Sequence, residues 1–454
     1  MKSNYRAPAN DDARKLALYA LSDVVRSKAY STLTLDDHLR KSRLSLEDKR
    51  LATMIFYTAL ENRIRIEWVL AQFVDTMPKV AIEDILHVAA AQILFMDRIP
   101  DYAAVDMAVR QAKDLGLEVY APFVNGTLRT LIRARDAGEI KYPDENEDIV
   151  KYLCVMHSLP EALTLRLIDD YGVDEARELI RYVPDERTQT VRPNLIKMND
   201  AEFEKYLDTR RFEHTRGVAP HSWKIRGGGD LASDPGYKAG LFSIQGEGAM
   251  LAAYAVDPKY GWNVIDACAA PGGKSCLICE LMGGNTGRVL AWDVNEKRTQ
   301  LIRAAKDRLR LDNLRVAALD ARKPRPDYEG QYDAVLIDAP CTGLGVMVNK
   351  PEIKYKVTNE GIESLKQIQS DILDACSDYV KPGGRLVYST CTIIREENEK
   401  QIERFLSRNE RYAPDLDDNW LPEELKPRFK NGMIQLMPHR DGMEGFFIAR
   451  LKRI

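Results

Sequence analysis

From residue 241 to the end, short β-type runs alternate with helix-length segments, and this rhythm constrains the fold more than any other feature of the chain. The runs are NVIDACAA (263–270), RVLAWDV (288–294), LRVAALDA (314–321), DAVLIDAP (333–340) and GRLVYSTC (384–391). Repeated strand–helix–strand units imply a parallel sheet joined by right-handed crossovers. Two further runs, GMIQLMP (432–438) and GFFIARL (445–451), have no obvious helix between them and predict a closing β-hairpin.

In such sheets, ligands gather at the carboxyl ends of the strands. The first run leads into DACAAPGGKS (266–275), whose small residues and glycines let a ligand lie against the backbone. The helix that follows directs its N-terminal amides at that ligand. Asp293 ends the second run, 21 residues past Gly272, where a carboxylate can accept hydrogen bonds from ribose hydroxyls. Asp320 ends the third, placed to meet the exocyclic amine of an adenine. Particular residues argue against two other nucleotide sites. A phosphate-binding GxxxxGK[ST] loop needs glycine where this chain has Cys268, and DACAAPGG lacks the GxGxxG of a dinucleotide site.

The fourth and fifth runs end in DAPC (338–341) and STC (389–391). Consecutive strands beyond the switch point lie side by side, so Cys341 and Cys391 are expected to face one cleft. Cysteine is often no more than a small buried hydrophobe, and that is the expectation for Cys154, Cys276, Cys279 and Cys376. Cys276 and Cys279 lie three apart on one helix near Cys268, yet the six histidines are scattered, so packing is expected there and no metal cofactor. Five strand–helix steps closed by a hairpin resemble the Rossmann-like adenosylmethionine-dependent methyltransferases, and two thiols at a methyl-transfer site would have a chemical purpose. Carbon 5 of cytosine is a poor nucleophile, and a thiolate adding at carbon 6 makes an enamine whose carbon 5 can attack a methyl sulfonium. Protonated Asp338 could assist at N3, and a base must later remove the carbon-5 proton. An adenine N6 methyltransferase needs no thiol and typically carries an acid-or-Asn-Pro-Pro-aromatic loop, which DAPC is not.

Residues 11–137 read as helical throughout. Leu16, Ala17, Ala20, Leu21, Val24 and Val25 recur at spacings of three and four, which predicts a buried face. Ser45 is an expected N-cap with Asp48 in the capping-box position. Further helices are expected over 62–74, 80–97, 102–115 and 120–137, with Gly116 and Gly138 as C-terminal caps. On the last of these, Arg129, Arg133 and Arg135 form a candidate phosphate-binding face. The acidic stretch 142–150 reads as a linker, and 151–240 as a mixed segment with a strand at TVRPNLIKM. Within it, TRRFEHTRGVAPHSWKIR carries five basic residues against one acid, with Phe212 and Trp223 interleaved. That pattern suits a solvated surface or an RNA-facing patch. The net charge of −3 means that any RNA contact must rest on local patches of this kind. No run approaches the roughly 18 apolar residues of a membrane span, and the polar start lacks a signal-peptide core. Seven thinly spread cysteines suit a reducing, cytoplasmic setting.

Together DACAAPGGKS, DVNEKR, DAPCTGLGVMVNKPEIKYK, QIQSDIL, KPGGRLVYSTCTIIREENE and GFFIARL resemble the RNA 5-methylcytosine methyltransferases. The helical start resembles the NusB-type RNA-binding bundle, a pairing found in bacterial enzymes acting on a cytidine of small-subunit (16S) ribosomal RNA. The resemblance implies a multidomain chain. Residues 1–140 would be an all-α NusB-like RNA-binding domain, 150–240 a small α+β linking domain, and 241–454 a Rossmann-like class I methyltransferase with S-adenosylmethionine as cofactor. It implies that Cys268, Ala269, Ala270, Pro271, Gly272, Gly273 and Lys274 hold the cofactor, with Asp293, Arg298, Asp320 and Asp338. It further implies that Cys391 is the nucleophile and that Cys341 assists release. Spacing alone does not assign those two roles, since in DNA cytosine methyltransferases the PC position attacks. Ribosomal RNA or a small-subunit precursor is the implied partner, with no membrane and a monomeric state. The same chemistry on tRNA or another ribosomal cytidine, or a non-catalytic RNA-binding assembly factor, are the alternatives. The chain departs from the pattern at Gly246 and Gly248 in SIQGEGAM, and has Thr342 and Thr392 where serine is commoner.

Overall fold

The computed structural model describes residues 12–27, 30–184, 188–284 and 286–454, so the polar start at 1–11 lies outside the described residues. The chain forms two compact units. One comprises Met1–Arg181 with Met347–Val357, and the other Tyr182–Val346 with Thr358–Ile454.

Among the described residues the first unit begins with seven α-helices: α1 (Ala13–Ser27), α2 (Ser31–Lys41), α3 (Leu46–Glu61), α4 (Arg63–Leu70), α5 (Val80–Phe95), α6 (Asp101–Asp114) and α7 (Ala121–Asp136). Leu16, Ala17, Ala20, Leu21 and Val24 are buried as their spacing predicts, and Val25 packs at the edge of the same core. Helix α5 is central: Ile82 and every residue from Asp84 to Ile93 are buried. Ser45 caps α3, accepting from the Asp48 amide at 3.1 Å, while the Asp48 carboxylate turns back to the Ser45 hydroxyl at 2.8 Å. Only half of the capping box forms. Gly116 and Gly138 follow α6 and α7 with φ of 68° and 69°, the left-handed conformation of a helix stop. Three more helices follow, α8 (Ile149–Met156), α9 (Glu161–Tyr171) and α10 (Val173–Arg181).

The segment Met347–Val357 belongs to this helical unit, and its polar side chains satisfy helix ends. The buried Glu352 carboxylate accepts from Ser31 N at 3.0 Å and Ser31 Oγ at 2.7 Å, at the first residue of α2. An anion belongs there, where helix amides lack partners and the dipole is positive. Lys354 Nζ donates to the Glu61 carbonyl that ends α3, at 2.9 Å, and to the His157 carbonyl beyond α8, at 3.2 Å. Tyr355 Oη donates to the Leu60 carbonyl at 2.9 Å.

The second unit opens with an antiparallel sheet of β1 (Thr188–Pro193), β2 (Glu213–Arg216), β3 (Trp223–Arg226) and β4 (Phe242–Ile244), in the order β2-β3-β1-β4. Phe203, Trp223 and Phe242 form its core. The basic run folds as β2, β3 and their turn, with Arg216 stacked 3.9 Å over the Trp223 ring.

The larger sheet contains β5 (Asn263–Ala267), β6 (Arg288–Asp293), β7 (Leu314–Ala318), β8 (Tyr332–Asp338), β9 (Val380–Thr390), β10 (Tyr412–Pro414), β11 (Met433–Leu436) and β12 (Phe446–Arg453). Its order is β10-β12-β9-β8-β5-β6-β7, with β11 beside β12. Strands β5 to β9 pair in parallel, and β12 runs antiparallel between β9 and β10. The expected hairpin forms, since β11 and β12 pair antiparallel. From β5 the chain moves outward through β6 and β7, then crosses to β8 on the other side. The switch point therefore lies between β5 and β8, with Ala267 opposite Ile337. No described helix is long and apolar enough to cross a membrane.

Candidate active site

Every site residue expected from the sequence lies at the carboxyl end of this sheet or in the loop or helical turn that follows. Past Ala267, Cys268 takes the left-handed conformation at φ 69° and Gly272 lies at φ 107°. A side chain at Gly272 would also meet the Ile302 backbone, with Cβ 3.1 Å from its Cα. The turn of Cys268, Ala269, Ala270, Pro271 and Gly272 leads into the helix Gly273–Leu281, whose N-cap, Gly272, makes no side-chain capping bond. Ser275 in its first turn donates to the buried Asp266 at 2.5 Å, and burial pushes the Asp266 carboxyl up to about 7.

Lys274 Nζ donates to Asp338 Oδ2 at 2.7 Å, and Ser389 Oγ to Asp338 Oδ1 at 3.0 Å. Burial opposes the charge on Lys274, but the Asp338 carboxylate outweighs it and raises the ammonium pKa. At the end of β6 the buried Asp293 accepts from the Asn295 amide at 2.9 Å and lies 3.2 Å from an Arg298 nitrogen. Arg298 also donates to the Ala270 carbonyl at 2.8 Å, joining the turn to that carboxylate. Asp320 stands two residues beyond β7 and is half-buried. The Leu319 amide donates to the Asp293 carbonyl at 3.1 Å and sets Asp320 beside the end of β6. Its hydrogen bonds with Arg322 hold its carboxyl below the usual range.

The two cysteines meet. Cys341 follows β8, Cys391 follows β9, and their Sγ atoms lie 3.6 Å apart. The hydrogen bond with Cys391, and then burial, push the Cys341 thiol pKa up. The Gly345 amide donates to the Cys391 carbonyl at 3.0 Å, and Gly445 N donates to the Gly345 carbonyl at 2.9 Å. This approach needs glycine, because a Cβ at Gly345 would sit 1.8 Å from the Gly445 oxygen. Cys154, Cys276, Cys279 and Cys376 are buried in the cores.

Residues 253–452 match the family described as 16S rRNA methyltransferase RsmB/F, and residues 11–133 match the NusB family. A probable ribosomal RNA small subunit methyltransferase B of Bacillus subtilis (strain 168) is 37% identical over 97% of this chain and 98% of that protein. The chain belongs to the RsmB/F family of methyltransferases. The ribosomal RNA small subunit methyltransferase B of Shewanella oneidensis is 30% identical over 96% of this chain and 98% of that one. Among solved structures, the protein designated PH0851 is 26% identical, with a TM-score of 0.80 over 99% of this chain and 100% of that chain. A methyltransferase homolog from Pyrococcus horikoshii is 28% identical, with a TM-score of 0.54 over 66% of this chain and 98% of that chain.

The cofactor of this RsmB/F methyltransferase is S-adenosylmethionine, and the donor set fits it. The Gly273–Leu281 helix start offers amides to a carboxylate, while Asp293 and Asp320 offer acceptors to hydroxyls and an amine. Two residues of the site escape a reading of the sequence. Gln245, buried and packed against Gly273, accepts from Arg192 at 2.8 Å, and Arg192 in turn pairs at 2.6 Å with Glu280 on the Gly273–Leu281 helix. Its signal was the Gln of SIQGEGAM. The other is Glu397, within the EEN that follows the TC motif.

Proposed function

We propose that this RsmB/F methyltransferase acts in the cytoplasm and transfers a methyl group to carbon 5 of a cytidine in 16S rRNA. The bond that activates the ring would join Cys391 to carbon 6. In this reading residues 1–140 form a NusB-like RNA-binding domain, 150–240 a linking domain, and 241–454 the catalytic domain. The observation that carries it is the pair Cys341 and Cys391, 3.6 Å apart at the ends of adjacent parallel strands, with the Lys274–Asp338 pair at the same sheet end. Methyl transfer to an exocyclic amine would have no use for two thiols there.

S-adenosylmethionine supplies a methyl carbon made electrophilic by its sulfonium. Cys268 through Lys274, with Asp293, Arg298 and Asp320, hold the cofactor, and Asp338 lies between it and the base. The Cys391 thiolate forms a bond to carbon 6 as the C5=C6 electrons move into the ring and a proton reaches N3. Asp338 delivers that proton, drawing on the one that Lys274 shares with it. S-adenosylmethionine held by those residues would supply the methyl group that carbon 5 takes, its sulfur leaving as a thioether. Finally the carbon-5 proton passes to Cys341 as its thiolate, the C6–S bond breaks to return the Cys391 thiolate, and the N3 proton returns to Asp338.

Incubating the full chain with 16S rRNA and labelled S-adenosylmethionine, then digesting to nucleosides, tests the reading. Label in 5-methylcytidine is expected; label confined to methyladenosine or methylguanosine would overturn it.

A further inference from the structure

We propose that Glu397 is a positioning residue for this reaction: its buried carboxylate holds the threonines that follow the two cysteines, and so fixes the sulfurs relative to each other. This rests on reading Cys391 and Cys341 as the reacting thiols. Glu397 is fully buried, in the short turn Arg395–Glu397. One carboxylate oxygen accepts from Thr342 Oγ1 at 2.6 Å and from Thr392 Oγ1 at 3.4 Å. The other accepts from the Thr342 amide and from Gln369 Nε2, both at 3.0 Å. Gln369 Nε2 also donates to the Pro340 carbonyl at 2.9 Å, so the residues on both sides of Cys341 are tied to one network. The two threonine hydroxyls are 2.7 Å apart. Tyr388 Oη donates to the Glu397 carbonyl at 2.8 Å and fixes the turn from behind.

The neighbouring residue supplies a contrast. Glu396 faces Lys400, Arg404 and Lys366, which overcome burial and hold its carboxyl down to about 2. Glu397 is bound by hydroxyls, a backbone amide and a side-chain amide, and burial raises its pKa. Burying a carboxylate against neutral partners costs stability relative to an apolar side chain of similar size. That cost is explained by geometry: the anchored residues come immediately after each sulfur. Thr342 and Thr392, departures from the commoner serine, keep the hydroxyls that the carboxylate needs.

The test is single-turnover methylation of 16S rRNA by the full chain. In Glu397→Gln the amide oxygen keeps the Thr342 amide and Gln369 Nε2, but the NH2 replaces the acceptor of the Thr342 and Thr392 hydroxyls, which must turn round to accept. Its rate constant should fall by about 100-fold, the effect of a displacement on the order of 1 Å, with KM and the Kd of S-adenosylhomocysteine unchanged. Thr342→Val should fall in the same direction, and Thr342→Ser should recover most of the rate. If Glu397→Gln does not fold, the Thr342 pair decides alone. A merely structural role would lower the reacting fraction and leave the rate constant intact; that result, or equal rate constants for Thr342→Val and Thr342→Ser, overturns the proposal. Undiminished methylation by Cys391→Ala in the same assay would instead overturn the covalent reading beneath it.

Discussion

Lys274 and Asp338 are joined by a 2.7 Å hydrogen bond that links the start of the helix after β5 to the end of β8 across the switch point. The ammonium and carboxylate sit where cofactor and base are expected to meet. Asp338→Asn would leave Lys274 facing a neutral amide and remove the route for a proton to N3. Loss of a positioned acid–base group costs about 10²–10⁴ in rate, so kcat should fall by at least about 100-fold. Stopped-time methylation assays at saturating substrate check this; an unchanged kcat would remove Asp338 from the chemistry.

Asp293 should anchor the cofactor ribose. A hydrogen bond to a charged group is worth roughly 1.5–3 kcal/mol, so Asp293→Ala should weaken S-adenosylmethionine binding about ten- to hundredfold. Arg298 would keep its bond to the Ala270 carbonyl, so the turn should stay folded. Calorimetry is the direct measurement, and equal affinity would exclude Asp293 from the site.

The sheet was legible because each strand is a continuous apolar run ending in a chemically distinctive residue, as at Asp293, Asp338 and Cys391. The strand β10 was not, because three residues ending in Pro414 carry no periodicity. Site residues inside motifs were equally readable. Glu397 was hidden in REENE, where nothing local distinguishes a buried acid from Glu396 beside it. The partners of Glu352 and Lys354 were also illegible, since Ser31 and Glu61 lie about three hundred residues away in sequence. Removing residues 1–140 would strip those partners, so it would do more than reduce RNA affinity.

The predicted arginine face of α7 holds two candidates rather than three. Arg135 donates to both oxygens of Asp101, at 2.9 and 2.6 Å, and to the Ile93 carbonyl at 2.8 Å. These bonds outweigh burial and raise its pKa, marking a structural cation. Among the described residues, Arg129 and Arg133 bond within their own helix, to Asn125 and Thr130. Arg129→Ala and Arg133→Ala should each reduce the salt slope of RNA affinity by roughly one unit. Arg135→Ala should leave the slope alone and cost about 1–2 kcal/mol of stability. A slope change for Arg135→Ala alone would reverse these roles.

Lys354 should give the helical unit an alkaline signature. Burial lowers its pKa from 10.5 to about 8. A folded pKa below the unfolded value means that the protonated form opposes folding. Stability should therefore rise, relative to Lys354→Met, as pH increases from about 8 to about 10.5, by on the order of 3 kcal/mol. Denaturant unfolding of both proteins across that range measures the difference. A flat difference would mean that Lys354 titrates normally.

The covalent assignment is tested most directly by incubating labelled 16S rRNA and S-adenosylmethionine with Cys341→Ala and Cys391→Ala, then separating the products on a denaturing gel. Cys341→Ala should attack through Cys391, methylate once and stall, giving a slow-migrating band that nuclease removes. Cys391→Ala should give neither band nor methylated RNA. A band from Cys391→Ala and none from Cys341→Ala would reverse the two sulfurs' roles, and full turnover by both variants would contradict covalent catalysis itself.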